Sequence, residues 1–221
     1  MIAVVFAIEF ESAGFRARLE RRLCVSVLTL GVMGKRAAPA LEKLIQQHRP
    51  EIIVSAGFSG ALQPGLPVGT IVLAENFSDP GLLKSLVVPH SFRVGRIFTA
   101  DDILETAAQK TAIGQATGAL AGDLETSHLY EVCIRNSVKM LSVRSISDAI
   151  DQSIPIPSSV LLDPESGRAN PKAIFQYLFR NPSKAQDFAR LLRDAKTAQQ
   201  TLASGIQQIL PSLLRRPIVM R

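Results

Sequence analysis

The sequence predicts a three-layer α/β/α sandwich, in which a central mixed, twisted sheet is covered by helices on both faces. Short apolar runs of strand length alternate with segments of helical spacing. The run Ile52–Ala56 has the apolar character of strands that are buried on both faces. With 221 residues, 47% of them apolar, the chain can form one well-buried core, and no repeat or composition shift divides it. We therefore expect a single domain over residues 1–221.

The elements of the first half follow from hydrophobic spacing and from the residues that end each run. The helix before Pro50 must stop there, because the residue that precedes a proline disfavours helical backbone. Two glycines within Gly57–Gly60 predict a tight turn after the third strand. In order, we predict a strand over Ile2–Ile8, a helix over Phe10–Arg22, a strand over Cys24–Leu30, a helix over Lys35–His48 and a strand over Ile52–Ala56.

The second half alternates in the same way but contains more turn residues. Asn76–Arg93 mixes turn residues with short apolar runs, so we expect it to be irregular, as we do the loop over Asp151–Pro171. The remaining predictions are strands over Thr70–Ala74, Val94–Thr99 and Val138–Ile146, helices over Asp102–Ile113 and Glu125–Arg135, helices from about Lys172 and Lys184 onward, and a loose end over Arg215–Arg221.

Composition excludes several classes of function. No apolar stretch approaches the roughly 20 residues that span a membrane, and no basic segment precedes the apolar N-terminus as in a secretory signal, so we expect a cytoplasmic protein without a membrane span. The two cysteines suggest neither a disulfide framework nor a zinc site, and we predict no metal and no cofactor. Although the net charge is +6, the basic residues are scattered and aromatic residues are few, which argues against a nucleic-acid partner.

Polar residues follow the ends of several predicted strands. In α/β sheets ligands bind beyond the carboxyl ends of the strands, so these positions are the first candidates for a site. The segments concerned are Glu9–Glu11, Gly31–Gly34, Gly57–Gly60 and Ser147–Asp148. Without further information, the two glutamates also fit an acidic first helical turn and Asp148 a helix cap.

These segments carry a resemblance to the nucleoside phosphorylase and nucleosidase superfamily, and within it to the methylthioadenosine/S-adenosylhomocysteine nucleosidases. Ala7–Glu11 resembles the motif Ala-Met-Glu-Glu-Glu, and Val143–Asp148 resembles Val-Arg-Ala-Ile-Ser-Asp. Gly31–Lys35, Gly57–Gly60 and Asp123–Glu125 resemble Gly-Ile-Gly-Lys, Gly-Ser-Ala-Gly and Glu-Met-Glu. The matches occur in the family's order over roughly residues 1–150. The resemblance implies the phosphorylase/hydrolase fold and cleavage of the N-glycosidic bond of a purine nucleoside.

The resemblance also implies roles for particular residues. Asp148 would be the general acid that protonates the purine, and Glu11 the general base that orients the attacking water. Glu125 would hold the ribose hydroxyls, and Arg144 would pair with one of these acids and tune its pKa. The remaining implied substrate contacts are Ile8, Phe58, Ser59, Gly60, Ile103, Leu104, Leu124 and Ser147.

The nucleophile and the substrate remain open at this point. Ser55 and Phe58 stand where phosphorylases of this superfamily carry an arginine and a serine for phosphate, which favours water, although Lys35, Arg36 or an arginine within Ser91–Arg96 would be able to rebuild an anion site. The alternatives to a nucleosidase are therefore a phosphate-dependent purine nucleoside phosphorylase and a non-catalytic nucleoside-binding relative. The short segment 76–96 leaves the 5′ substituent open: methylthioadenosine, S-adenosylhomocysteine or a bulkier adenosyl compound. The resemblance implies a homo-oligomer, with a dimer favoured.

Overall fold

A computed structural model describes residues 1–19, 25–31, 34–161 and 170–214. Within these ranges the chain forms an eight-stranded mixed sheet with the strand order β2-β1-β3-β8-β4-β5, from which β7 and β6 branch beside β3. The strands are β1 (Ile2–Phe6), β2 (Val25–Thr29), β3 (Ile52–Ala61), β4 (Ile71–Ala74), β5 (Arg93–Gly95), β6 (Ile97–Thr99), β7 (Ala121–Asp123) and β8 (Lys139–Asp148). The helices are α1 (Glu9–Arg16), α2 (Ala37–His48), α3 (Pro80–Ser85), α4 (Ala107–Thr117), α5 (Thr126–Arg135), α6 (Ser158–Leu161), α7 (Pro171–Arg180) and α8 (Ala185–Leu214).

Helices cover both faces of the sheet, which confirms the predicted three-layer α/β/α class. On one face, α1, α3 and α8 pack against alternate residues of β1, β3, β4 and β8. The helix side chains in this layer include Phe15, Leu82 and Leu202. On the other face, α2 and α5 cover the intervening residues, with Leu41 and Val132 fully buried. β1 is buried along its whole length and is continuously apolar, as expected for a central parallel strand.

The parallel arrangement of β2, β1, β3 and β8 brings their carboxyl ends to one edge. β4 runs antiparallel to β8, and β7 runs antiparallel to the end of β3. The motifs at these strand ends therefore lie side by side although they are far apart in sequence.

The predicted turn at Gly57–Gly60 is wrong, because β3 continues through these residues to Ala61 and stays paired with β8. The register shifts between Ser59 and Gly60, where a β-bulge bends the strand. The glycines thus belong to a long central strand, and the reason that small residues are needed there lies in the cavity described below.

Other boundaries differ from the predictions for local reasons. The strand predicted over Val94–Thr99 is two strands, β5 and β6, which pair with different neighbours. The segment predicted to be irregular contains α3, whose first turn is capped by the Asp79 carboxylate, which accepts from the Leu82 N–H at 2.8 Å. The helix predicted from Asp102 begins at Ala107, because Thr106 and Gln109 form a capping box at its start.

The remaining boundaries shift by smaller amounts. α5 begins at Thr126 with Glu125 as its N-cap, and the loop predicted over Asp151–Pro171 contains the short helix α6. α1 ends at Arg16, earlier than predicted, and the predicted positions 20–24 and 215–221 lie outside the described residues. Cys133 is a free, buried thiol, as predicted.

Candidate active site

One cavity of about 500 Å³ opens beyond the carboxyl ends of β1, β3 and β8. This volume falls in the range of small-molecule sites. Every residue that the sequence predicted for the site lines it except Arg144: Ile8, Glu11, Phe58, Ser59, Gly60, Ile103, Leu104, Leu124, Glu125, Ser147 and Asp148. Three carboxyl groups from separate segments therefore face one cavity.

Glu11 is fixed at the bottom of the cavity by two backbone groups. It is the third residue of α1, where its carboxylate reaches back to accept from the Ile8 N–H at 3.2 Å, while the Phe58 N–H donates to its other oxygen at 2.9 Å. Burial raises the pKa of Glu11 above its ordinary value, although the Phe58 N–H and the Arg144 charge oppose this. The carboxyl group of Glu11 is thus held in one orientation, and its pKa lies above that of a solvated glutamate.

Two glycines of β3 make room for the carboxyl groups. A Cβ placed on Gly57 would lie 2.9 Å from Glu11 Oε1, and one on Gly60 would lie 2.9 Å from Asp148 Oδ2. Real Cβ atoms do not approach oxygen so closely, so either substitution displaces a carboxylate. These glycines are required by close approach and not by a turn.

Asp148 ends β8, and both of its oxygens have donors. The Ser147 hydroxyl donates to Oδ1 at 2.6 Å, and the Lys110 ammonium donates to Oδ2. Lys110 also donates to the backbone oxygens of Ala149, at 3.1 Å, and Gln152, at 2.8 Å. The acid is thus held by a short network that fixes its orientation toward the cavity.

The sequence did not single out Lys110, which is completely buried and lines the cavity beside Asp148. It lies on the inward face of α4 together with Gly114, where a Cβ would run into the Leu62 carbonyl. Nothing in the local sequence distinguishes this lysine from a solvated helix residue, and only the fold shows that this face packs closely.

Glu125 lies at the start of α5 and accepts from the Gly34 N–H at 2.9 Å. Burial, and after it the neighbouring Asp123 carboxylate, raise the pKa of Glu125 to about 8. A group with this pKa is largely protonated in the empty site at neutral pH. A positive charge beside it would lower this pKa and favour the carboxylate form.

Arg144 lies behind the cavity wall. It was expected to pair with one of the three site acids, but its Nε donates to Asp123 at 2.7 Å in a buried ion pair. Its other nitrogens donate to the Ser55 backbone oxygen and hydroxyl, both at 3.0 Å, and to the Thr126 hydroxyl at 2.6 Å. Its positive charge still lowers the pKa of Glu11 and of Glu125 from a distance, against the larger effect of burial.

The rest of the cavity wall is mainly apolar. Ile103, Leu104 and Leu124 lie on the side of β7, where the resemblance placed substrate contacts. The opposite part of the wall comes from the C-terminal third of the chain, which the motifs do not cover: Ile154, Leu161, Ile174, Phe188, Leu191, Leu192 and Ala195. These side chains reach the cavity because α6, α7 and α8 fold back over the sheet. The sequence alone did not predict them as site residues.

Lys110 is the only cationic residue among the described residues that line the cavity, and Asp148 already binds it. Lys35 pairs with Asp101 at 2.7 Å outside the cavity, and Arg93 donates to the backbone oxygens of His90 and Phe92. Ser59 Oγ is buried in the cavity wall and has no hydrogen-bond partner within the described part of the chain. Buried hydroxyls are rarely unpaired, so this group is available to a ligand.

Known proteins resemble the chain in both sequence and fold. A family model described as the phosphorylase superfamily matches residues 9–93. The 5′-methylthioadenosine/S-adenosylhomocysteine nucleosidase of Staphylococcus epidermidis is 24% identical over 169 residues, which cover 62% of this chain and 74% of the relative. These matches confirm the predicted resemblance to the superfamily and its nucleosidases.

Solved structures extend the likeness to almost the whole chain. A putative 5′-methylthioadenosine/S-adenosylhomocysteine nucleosidase of Borrelia burgdorferi, bound to adenine, has a TM-score of 0.67 at 18% identity and covers 96% of this chain and 99% of its own. The futalosine hydrolase of Helicobacter pylori has a TM-score of 0.62 at 15% identity and covers 95% of this chain and 97% of its own. At these identities the likeness establishes the fold.

Proposed function

Since this chain resembles the phosphorylase superfamily in sequence and shares the fold of its nucleosidases, we propose that it is a nucleosidase that hydrolyses the N-glycosidic bond of an adenosine-type nucleoside. One observation carries the proposal: Glu11, Glu125 and Asp148 face the same apolar cavity, whose one lining cation in the described chain is bound to Asp148. Such a site provides acid, base and charge stabilisation without a place for a second anion.

Glu11 is the general base. Its two oxygens are held by the N–H groups of Ile8 and Phe58, so the carboxylate is oriented before a substrate arrives. Burial raises its pKa, which makes the carboxylate a stronger base toward the attacking water. The water oxygen forms the new bond to C1′ of the ribose, and its proton passes to Glu11.

Asp148 and Lys110 together deliver the proton to the departing base. The C1′–N9 bond breaks with its electron pair going to the purine, which becomes a far better leaving group when N7 is protonated. The carboxyl form of Asp148 passes its proton to N7, while the Lys110 ammonium keeps its own protons and holds Oδ2 in place. After the products leave, the proton that Glu11 took from water returns through solvent to Asp148. We assign to Lys110 the role of a positioning residue that acts through Asp148.

Glu125 stabilises the sugar. The transition state carries positive charge on the ribose ring, as in glycoside hydrolysis. Burial raises the pKa of Glu125 to about 8 in the empty site. The positive charge of the sugar lowers this pKa, and the carboxylate, whose proton passes to solvent, stabilises that charge. The Gly34 N–H holds one oxygen and leaves the other for the ribose hydroxyls.

The wall of the cavity supports water as the nucleophile. A phosphate dianion requires several uncommitted donors, usually arginines or backbone N–H groups. Phe58 presents a ring to the cavity, Ser55 is bound to Arg144 behind it, and neither Lys35 nor Arg36 nor the arginines of Ser91–Arg96 line it. Hydrolysis is therefore favoured over phosphorolysis.

The apolar wall supports a nucleoside with a large, apolar 5′ substituent. The side chains that α6, α7 and α8 contribute to the cavity wall include no charged group. Burial of apolar surface stabilises a bound alkyl group by about 25 cal/mol per Å², whereas the charged amino-acid tail of S-adenosylhomocysteine would lose its hydration there. A long alkyl group on the 5′ carbon fits this wall better than a zwitterion does.

The decisive experiment measures release of the free base with and without phosphate. The base is adenine from methylthioadenosine, S-adenosylhomocysteine, adenosine and a 5′-alkylthioadenosine with a long chain, and hypoxanthine from inosine. Asp148→Asn is the inactive variant, and Asp151→Asn, three residues away on an exposed turn, is its matched control. Phosphate-independent release that only Asp148→Asn abolishes supports a nucleosidase. Strict phosphate dependence would make the protein a phosphorylase, and no release from any of the five compounds would favour a binding role.

We also propose that residues 1–221 form a single domain that acts in the cytoplasm as a homodimer. The continuous sheet and the two apolar layers on its faces, which draw on helices from both ends of the described chain, support one folding unit. None of the helices in the described ranges has the length and apolar character needed to cross a bilayer. A single cooperative unfolding transition, light scattering and cell fractionation test these three statements.

A further inference from the structure

Two phenyl rings protrude from α7 beside the cavity. Phe175 is 70% exposed and Phe179 81% exposed, and their rings stack with centroids 6.4 Å apart. They lie four residues apart and so share one face of the helix, whereas Ile174 on an adjacent face lines the cavity. Single exposed apolar residues are common, but a stacked, exposed aromatic pair is not explained by the fold itself.

The apolar surface continues to the mouth of the cavity. Leu192 on α8 is 54% exposed, Phe10 on α1 is 44% exposed, and both belong to the cavity wall. α7 therefore carries both an exposed phenyl pair and, through Ile174, part of the apolar cavity wall.

The exposed charges on α7 and on the turn after it are positive, and the next acidic residue along the chain is Asp187 in the first turn of α8. Lys172, Arg180 and Lys184 are exposed, and no acidic residue occurs between positions 170 and 186. Aromatic side chains flanked by Lys and Arg are typical of helices that lie in the interface of a bilayer, where the rings enter the acyl boundary and the cations meet anionic headgroups.

The size of the patch argues against a protein partner. Two phenyl groups with these exposures offer on the order of 300 Å². A stable protein interface buries about 800 Å² on each side and has few lysines at its centre. A bilayer needs no such area, because a few inserted rings and several cations are sufficient for reversible binding.

We propose that α7 docks on the surface of an anionic lipid bilayer, with Phe175 and Phe179 inserted and with Lys172, Arg180 and Lys184 facing the headgroups. This binding goes beyond the proposed hydrolysis and would allow an apolar nucleoside to pass from the bilayer into the cavity without crossing water. The chain would bind reversibly, since one short helix supplies all of the contact.

Co-sedimentation with vesicles tests the proposal without any turnover, so its failure is separate from a failure of the proposed function. The full chain is mixed with vesicles of phosphatidylcholine alone or with 30% phosphatidylglycerol. Phe175→Ser/Phe179→Ser removes the rings, and Lys172→Ala/Lys184→Ala removes two charges. Ile134→Ser on α5, an apolar side chain 60% exposed far along the chain, is the matched control.

We expect binding to the anionic vesicles that weakens with salt, falls at least ten-fold without the rings and falls about five-fold for each charge removed. Ile134→Ser should bind like the parent. The proposal is overturned if the parent stays in the supernatant, if the ring variant binds normally, or if all variants weaken equally. It is also overturned if light scattering shows that the ring variant turns a dimer into a monomer, because the patch would then be a protein interface.

Discussion

Replacing Lys110 by Met removes the buried ammonium beside Asp148 while keeping most of the side-chain volume. The ammonium binds three oxygens, and after the change the Ala149 and Gln152 carbonyls and Asp148 Oδ2 lose this donor. Breaking a buried ion pair costs about 3–5 kcal/mol. The Asp148 side chain is 15% exposed, so water replaces part of the contact and the lower end of that range applies. For a domain of this size we expect a melting temperature lower by about 6–12 °C.

The effect on activity should depend on the leaving group. General acid catalysis contributes about 10²–10⁴-fold, so kcat for adenine release should fall within that range. A p-nitrophenyl riboside needs no protonation to depart, and its hydrolysis should fall less than ten-fold. Both rates are measured at several pH values at a temperature where the variant remains folded. Lys110→Arg should recover little, because a planar guanidinium does not fit the space of an ammonium.

Lys84→Met, an exposed lysine on α3, serves as the control and should leave both rates and the melting temperature unchanged. Equal losses on the two substrates would show that Lys110 only supports the fold. Adenine release within about three-fold of the parent would refute its role in acid catalysis altogether.

Three further changes test other parts of the site. Burial places the folded-state pKa of Glu125 above its ordinary 4.5, so its contribution to stability is present below pH 4.5 and is lost as the pH rises through about 8. As the pH rises from 4 to 9, the free energy of unfolding of Glu125→Gln should therefore increase by up to about 5 kcal/mol relative to that of the parent, measured by urea unfolding. A difference between the two free energies that stays constant with pH would contradict the raised pKa. Gly57→Ala should displace the Glu11 carboxylate and lower kcat at least 100-fold with a far smaller change in KM. Unchanged kinetics would mean that the backbone of β3 moves to make room for the methyl group and that the carboxylate keeps its position. Ser59→Ala should raise KM about three- to ten-fold through one lost hydrogen bond to the ligand, with no loss of melting temperature, since the hydroxyl has no partner in the described chain.

The sequence predicted the acids of the site better than their surroundings. Glu11, Glu125 and Asp148 follow strand ends or begin helices, and parallel strands necessarily bring such positions to one edge of the sheet. The predicted turn at Gly57–Gly60 was wrong because closely spaced glycines usually indicate a turn. Here the space that the glycines leave is occupied by side chains from other segments, which no local pattern reveals.

Lys110 and the apolar wall were missed for a related reason. A lysine in a helix is normally solvated, and only the tertiary arrangement shows that this one is enclosed with its three oxygens. The residues of α7 and α8 have ordinary amphipathic spacing, which predicts that one face is covered but not by what. The motifs that carry the resemblance end near residue 150, and the wall residues that were missed lie beyond that point, from Ile154 to Ala195.

The buried position of Arg144 has a consequence for how this protein can change. Its guanidinium ties the Ser55 segment, Asp123 and the start of α5 into one frame, so the three acids are held by parts that cannot move independently. The wall that faces the 5′ group belongs to other elements, α6, α7 and α8. The three acids and the C-terminal part of the apolar wall are therefore carried by different elements. Exchanging residues of the wall should redirect such an enzyme to new nucleosides while its bond-breaking machinery stays intact.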